Sequence, residues 1–396
     1  MSLDLKQRVH ERLLRAPGLT ELAQPHAQHA VRERLAELLR DEDPLLPASR
    51  FERLLSELTD EVAGLGPLEP LLAAPDVTEV MVNGPGHAYI ERAGRLERID
   101  LALDAPGIVR LVERVVAPLG LRLDRSSPMV DARLPDGSRL HAVLPPLAID
   151  GPCITIRRFG ARLVPLDAFG LDAGASAFLR WSVEVGWNLV VAGGTSAGKT
   201  TLLNALSGAV PDDERVVTIE ETAELRLVQP HVVRLEARPP NAEGIGAVPV
   251  RALVRAALRM RPDRVVVGEV RGGEAFDMLQ ALNTGHDGSL STVHANSAAD
   301  ALTRLETLVL LAETGLPLFA VRAQLGAALD GVVFVARRPG GTRRVEQIAE
   351  LVPAADGPTV RSLFAWRDGG LRPTATPTRS SRRPDAPAPD HEWFAC

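Results

Sequence analysis

The amino-acid sequence predicts an α/β protein in which a mostly parallel sheet domain follows a smaller α+β domain, and three patterns carry that prediction. From about residue 165, short Val-, Ile- and Leu-rich runs alternate with helix-like segments, as in strands joined by crossover helices. Between about residues 50 and 160 an amphipathic helix precedes several short strand-like runs and a second helix-like piece, the order of a compact α+β unit. Between the strand-like run 188–192 and the helix-like run 201–206 lies Gly193-Gly194-Thr195-Ser196-Ala197-Gly198-Lys199-Thr200, a glycine-rich connection in strand–loop–helix context.

In chain order, residues 1–48 show helix-like apolar spacing punctuated by Pro17, Pro25, Pro44 and Pro47, which predicts a loosely attached helical extension. Phe51, Leu54, Leu55, Leu58, Val62 and Leu65 then fall on one face of a helix that Gly64 and Gly66-Pro67 close. The α+β domain is expected over 49–162, with strands at 79–82, 87–91, 95–99, 138–144 and 153–157 and a helix at 108–116. The sheet domain is expected over 163–368. Its strands should lie at 188–192, 215–220, 232–236, 264–268 and 289–293, and its helices at 199–208, 249–260, 273–283 and 298–312. Residues 369–396 set Pro373, Pro377, Pro384, Pro387 and Pro389 among Ser, Thr, Arg and Asp, a composition that predicts a disordered tail.

Composition bounds the function. With 45% hydrophobic residues in 396, the chain can bury a core in each of two domains. Apolar stretches such as 308–312 and 331–336 fall far short of the roughly 20 residues of a membrane span, and the first residues lack a signal-peptide core. Cys153 and Cys396 stand far apart without CxxC spacing, which argues against a disulfide framework and a structural zinc site. A soluble cytoplasmic protein is therefore expected. The net charge of −6, with Arg and acid interleaved, argues against a large nucleic-acid footprint.

Of the 45 Lys and Arg residues, only Lys6 and Lys199 are lysine, and Lys199 completes the pattern G-x-x-x-x-G-K-[ST]. In that pattern, consecutive backbone N–H groups wrap a polyphosphate while a compact ammonium reaches the β and γ phosphates, space a forked guanidinium would not fit. The following helix adds its partial positive charge beneath the phosphates. Gly193, Gly194, Thr195, Ser196, Ala197, Gly198, Lys199, Thr200 and Thr201 are thus the candidate ATP-binding residues, with the Thr200 hydroxyl a candidate Mg²⁺ ligand.

Hydrolysis also needs a group to orient or deprotonate water and positive charge against the transition state. Two apolar strand-like runs end in acid. Val216-Val217-Thr218-Ile219 leads to Glu220-Glu221, with Glu224 one turn later, and Val265-Val266-Val267-Gly268 leads to Glu269. Glu269 and Glu220 are candidate catalytic carboxylates, Glu220 also a candidate Mg²⁺ ligand through water, although Glu220, Glu221 and Glu224 suit solvated strand ends equally well. His286 and His294 flank the run 289–293. A lone histidine is more often structural, but the strand end suits a γ-phosphate sensor, which favours His294.

Together these residues resemble the type II/IV secretion ATPase superfamily, in the order Walker A, Asp box, Walker B, His box. The resemblance rests on the phosphate loop, on 218–224, on Leu258-Arg259-Met260-Arg261-Pro262-Asp263, on 267–275 and on Ser291-Thr292-Val293-His294-Ala295-Asn296. Upstream, 64–72, 80–84 and 131–139 are similar to the N-terminal domain of the CpaF-like ATPases of Flp/Tad (tight-adherence) pilus assembly. The resemblance covers roughly residues 50–350. It implies a RecA-like ATPase domain after a PAS-like domain, and a homohexameric ring using ATP and Mg²⁺. The ring would push on an inner-membrane platform protein from the cytoplasmic side, with no nucleic acid involved. By motif position Glu220 falls in the Asp box, Glu269 in Walker B and His294 in the His box, and Arg133, Arg139 and Arg157 are implied to reach toward the phosphates. The sequence departs from the family at Glu221, where Asp is more usual, and lacks the tetracysteine zinc module of some type II relatives. A DNA-handling RecA-like ATPase and a nucleotide-gated scaffold with little turnover stand as alternatives.

Overall fold

The computed structural model describes residues 2–15, 28–92, 94–158, 164–241 and 243–394, and the chain divides into two compact units, Met1–Gly160 and Ala161–Cys396. Pro17, Pro25, the boundary expected at 162–163 and Cys396 lie outside the described residues.

The first unit opens with helices α1 (Ser2–Leu14), α2 (Gln28–Glu42) and α3 (Ala48–Ala63). Their apolar faces meet in one core of Val9, Leu13, Leu35, Leu39, Leu54 and Leu58, and Lys6 pairs with Glu61 at 3.2 Å. The extension is therefore not loose, because α1 and α2 bury their leucines against the helix that leads into the α+β fold. After the short α4 (Glu69–Ala73) come β1 (Val77–Asn83), β2 (Ala88–Arg92), β3 (Arg95–Ile99), α5 (Ala105–Val116), β4 (Met129–Arg133), β5 (Arg139–Val143) and β6 (Cys153–Arg157). The strands form one antiparallel sheet in the order β3-β2-β1-β6-β5-β4. Alternate residues Val80, Val82, Leu140, Ala142, Ile154 and Ile156 share a core with Ile108, Leu111 and Val112 of α5. Asp104 starts α5 by accepting a hydrogen bond from the Gly107 N–H at 2.8 Å.

The second unit contains α6 (Ala173–Glu184), β7 (Leu189–Gly193), α7 (Lys199–Ser207), β8 (Val216–Glu220), β9 (Val232–Glu236), α8 (Val250–Ala257), β10 (Arg264–Val270), α9 (Glu274–Leu282), β11 (Leu290–His294), α10 (Ala298–Leu310) and α11 (Leu318–Ala328). Then follow β12 (Gly331–Arg337), β13 (Arg343–Ala354), β14 (Gly357–Arg367) and β15 (Gly370–Pro373). The nine-stranded sheet runs β15-β14-β13-β12-β7-β11-β10-β8-β9, parallel from β12 to β9 and antiparallel from β12 to β15. Period-2 alternation divides it between two cores. Leu189 and Val191 face α6 and α7, while Val190 and Ala192 face α9, α10 and α11. At the start of β10 Arg264 is fully buried, bonded to Glu214 and to the Val183 carbonyl at 2.7 Å, and burial lowers its pKa to about 10.

The disordered tail expected from the Pro- and Ser-rich composition is a docked strap. Thr378 N–H donates to Glu350 Oε2 at 2.9 Å, and Arg379 and Arg382 meet the two oxygens of Asp330 at 2.8 and 2.5 Å. Trp187 and Trp181 donate their indole N–H groups to the carbonyls of Ser380 and Pro387 at 3.1 and 2.8 Å. The Phe394 ring closes on Phe178 and Phe364, with centroids 5.5 and 5.2 Å apart. The physical reason is long-range pairing: Glu350 and Asp330 are buried carboxylates, and the strap supplies their donors. Among the described residues, no helix is long and apolar enough to cross a membrane.

Candidate nucleotide site

Strand β7 is wholly buried and ends at Gly193, and helix α7 begins at Lys199, so the loop turns from sheet to helix in five residues. The turn needs Ser196 at φ +56° and Gly198 at φ +97°. Gly198 is also closely approached: a Cβ there would stand 3.1 Å from Arg343 Cδ.

Parallel register brings the chemistry to this loop. His294, the last residue of β11, pairs with Gly193, and the β10 end carrying Glu269 lies beside β11. Lys199 Nζ donates to the Gly194 carbonyl at 3.1 Å and lies 3.3 and 3.4 Å from the two ring nitrogens of His294. Near-equal distances mean that the ammonium cannot sit on the in-plane lone pairs of both nitrogens. Glu269 Oε1 is 3.7 Å from Lys199 Nζ and 2.9 Å from His294 Nε2. That oxygen is buried and, despite those distances, is not aligned for a hydrogen bond. Its partner Oε2 is held by Arg271 Nε at 2.7 Å, and Arg271 Nη1 also reaches Glu221 Oε2 at 2.7 Å. Burial works against the Arg271 charge, yet Glu269 and then Glu221 hold its pKa above the usual value. Burial, and next the Lys199 charge, lower the pKa of His294, which favours the neutral imidazole.

Lys199, Glu269 and His294 are thus brought together. Glu220 is not. It ends β8, three strands from β7 in the sheet and so about 14 Å away at about 4.8 Å per strand. Its Oε1 accepts the N–H groups of Glu224 and Leu225 at 2.8 and 2.9 Å, while Oε2 is buried without a partner. Burial raises its pKa to about 7. In this structure the carboxylate closes the turn after its own strand. His286 ring Nδ1 lies 3.0 Å from the Ala281 carbonyl, a structural contact. Arg133, Arg139 and Arg157 pair directly across β4, β5 and β6, so they form one row on the first unit's sheet, on the face opposite the Leu140 and Ile156 core.

A magnesium ion bound with a triphosphate draws most of its ligands from phosphate and water. The half-buried Thr200 on the first turn of α7 suits that ion, and the orphaned Glu269 Oε1 suits a water beside it. Among the described residues no group of three or more His, Cys, Asp and Glu could hold a metal alone. Sequence reading assigned no role to Arg271, whose signal was its place two residues after Glu269, or to Arg343, which has no local signal.

Comparison with known proteins follows the same lines. The family model described as Type II/IV secretion system protein matches residues 61–339. A putative conjugal transfer protein of Mycobacterium tuberculosis is 44% identical over 329 residues, covering 80% of this chain and 92% of that one. The type IV secretion system protein PtlH of Bordetella pertussis is 40% identical, covering 70% and 91%, and the conjugal transfer protein TrbB of Rhizobium radiobacter is 35% identical, covering 76% and 90%. Among solved structures, the ATPase DotB of Legionella pneumophila superposes with a TM-score of 0.53 at 20% identity, covering 73% of this chain and 80% of that one. The pilus retraction motor PilT with bound ADP gives 0.53 at 18%, covering 73% and 82%. At these identities the likeness is one of fold, the RecA-like phosphate-loop α/β fold that the sequence predicts.

Proposed function

The chain belongs to the type II/IV secretion system protein family and is an ATPase, and from this we propose that it is the hexameric motor of a Flp/Tad-type pilus-assembly or protein-secretion machine. The observation that carries the reading is the convergence of Lys199, Glu269 and His294 at the ends of three adjacent parallel strands. In this reading the backbone of residues 193–201 wraps the phosphates and Lys199 sets its compact charge against the β and γ oxygens. Arg271 fixes one oxygen of Glu269, which leaves Oε1 to take the proton of the attacking water as the bond between γ-phosphorus and ADP breaks. Neutral His294, beside both Lys199 and Glu269, senses the γ-phosphate. Magnesium, held by Thr200 and the nucleotide's own oxygens, would neutralise charge developing on the phosphates.

The Flp/Tad assignment is supported by the motifs at 64–72, 80–84 and 131–139, and it places the ring against a platform protein at the inner face of the cytoplasmic membrane. ATP hydrolysis by the full chain with Glu269→Gln tests the site: binding should persist while turnover collapses, and undiminished turnover would remove Glu269 from the reaction. A second reading, favoured by the conjugal-transfer names of the Mycobacterium and Rhizobium relatives, is a machine that moves DNA. DNA-stimulated turnover with a steep salt dependence would select it.

A further inference from the structure

We propose that Arg343, with Arg337 beside it, walls the phosphate-loop site on the side opposite His294 and binds the nucleotide at its α-phosphate and nucleoside end, an inference that rests on the ATP site proposed above. Strand β7 has a different neighbour on each side. On one side β11 delivers His294 to Lys199. On the other, β12 runs parallel to β7 from Gly331 opposite Leu189 to Phe334 opposite Ala192. The next residue, Val335, presses its carbonyl so close to Gly193 that no Cβ could stand there.

The β12–β13 hairpin therefore continues past the end of β7, alongside the loop. Its last pair in register is Arg337 with Arg343, so both side chains leave the same face, and both are exposed. The Arg343 stem lies across the loop, with Cδ 3.1 Å and Cβ 3.8 Å from the Cβ position of Gly198. Glu346 binds both Arg338 and Arg344, the latter at 3.0 Å, and the Arg344 guanidinium also lies 3.7 Å from the centre of the Trp366 ring.

The loop thus runs between an acid–histidine wall and an arginine wall. A triphosphate with its γ end at Glu269 and His294 directs its α-phosphate and sugar away from them, toward the hairpin. A planar guanidinium suits that end, because it can bridge two phosphate oxygens or stack on a base, whereas the γ end is served by the compact Lys199. Since ADP retains the α-phosphate and nucleoside, Arg343 should serve ADP and ATP alike.

The test is equilibrium binding of a fluorescent ADP analogue to the full chain, with ATP turnover measured in parallel, for the wild type, Arg343→Ala and Arg343→Gln. Both variants should bind ADP about ten-fold more weakly, the loss of one charge-assisted hydrogen bond, and raise KM for ATP while kcat is retained. Arg343→Gln keeps most of the stem against Gly198. Recovery of affinity in that variant would show that stem packing alone matters and would overturn the proposal, as would wild-type ADP affinity in both variants. A wild-type chain that binds no ADP removes the ATP site itself, whereas binding by the wild type and both variants equally removes only Arg343.

Discussion

Glu269 Oε1 lies 2.9 Å from His294 Nε2, and the other oxygen of the same carboxylate is fixed by Arg271 at 2.7 Å. One oxygen is anchored and the other is buried beside Lys199 without an aligned donor, which is the asymmetry a water-activating carboxylate needs. Replacing Glu269 with Gln keeps the shape and removes the basic oxygen. Steady-state ATP hydrolysis should fall by about 10²- to 10⁴-fold, with ADP affinity preserved.

His294 gives the site a pH signature. Its pKa is lowered, by burial first and by Lys199 next, so in acid the unfolded chain takes up this proton before the folded one. The stability that depends on the neutral ring is present above the ordinary histidine value and is lost as pH falls through the folded pKa. Thermal midpoints of the wild type and His294→Gln, compared by calorimetry from about pH 7 to about pH 5, should converge or cross as the wild type weakens.

Glu220 behaves in the opposite sense. Burial raises its folded pKa from 4.5 to about 7, so its contribution is most favourable below 4.5 and is lost as pH rises through about 7. Glu220→Gln should gain stability relative to the wild type as pH rises, by at most about 3 kcal/mol, and denaturant melts at acid and alkaline pH will measure it. Because Glu220 Oε1 is held by two backbone N–H groups, this variant should keep far more ATP turnover than Glu269→Gln.

The strap makes a separate forecast. Removing residues 375–396 strips Asp330, 3% exposed, of both Arg379 and Arg382, and Glu350 of the Thr378 donors. Unpairing a buried carboxylate costs about 3–5 kcal/mol. Thermal unfolding of the truncated chain should show a clearly lowered midpoint, and equal midpoints would mean that the strap is not docked.

What the sequence made legible was local. The phosphate loop, the Val-rich strands before Glu220 and Glu269, and the amphipathic helix now seen at Ala48–Ala63 each declare themselves within a short window. What it hid depends on distant partners. Composition alone reads 369–396 as disordered, because the acids that hold it, Asp330 and Glu350, lie tens of residues earlier. Strands β12 to β15 went unrecognised because the long β13 and β14 lack clean alternation, and with them went the hairpin that carries Arg343 to Gly198. Glu220 and Glu269 look alike as acids ending apolar strands; only sheet order, with β8 set three strands from β7 and β10 two, separates their positions.

The most direct measurement is ATP binding and hydrolysis by the full chain carrying Lys199→Ala. Loss of both is the result expected if this ammonium, set between Gly194, His294 and Glu269, holds the β and γ phosphates. Affinity and turnover equal to the wild type would contradict the account at its centre.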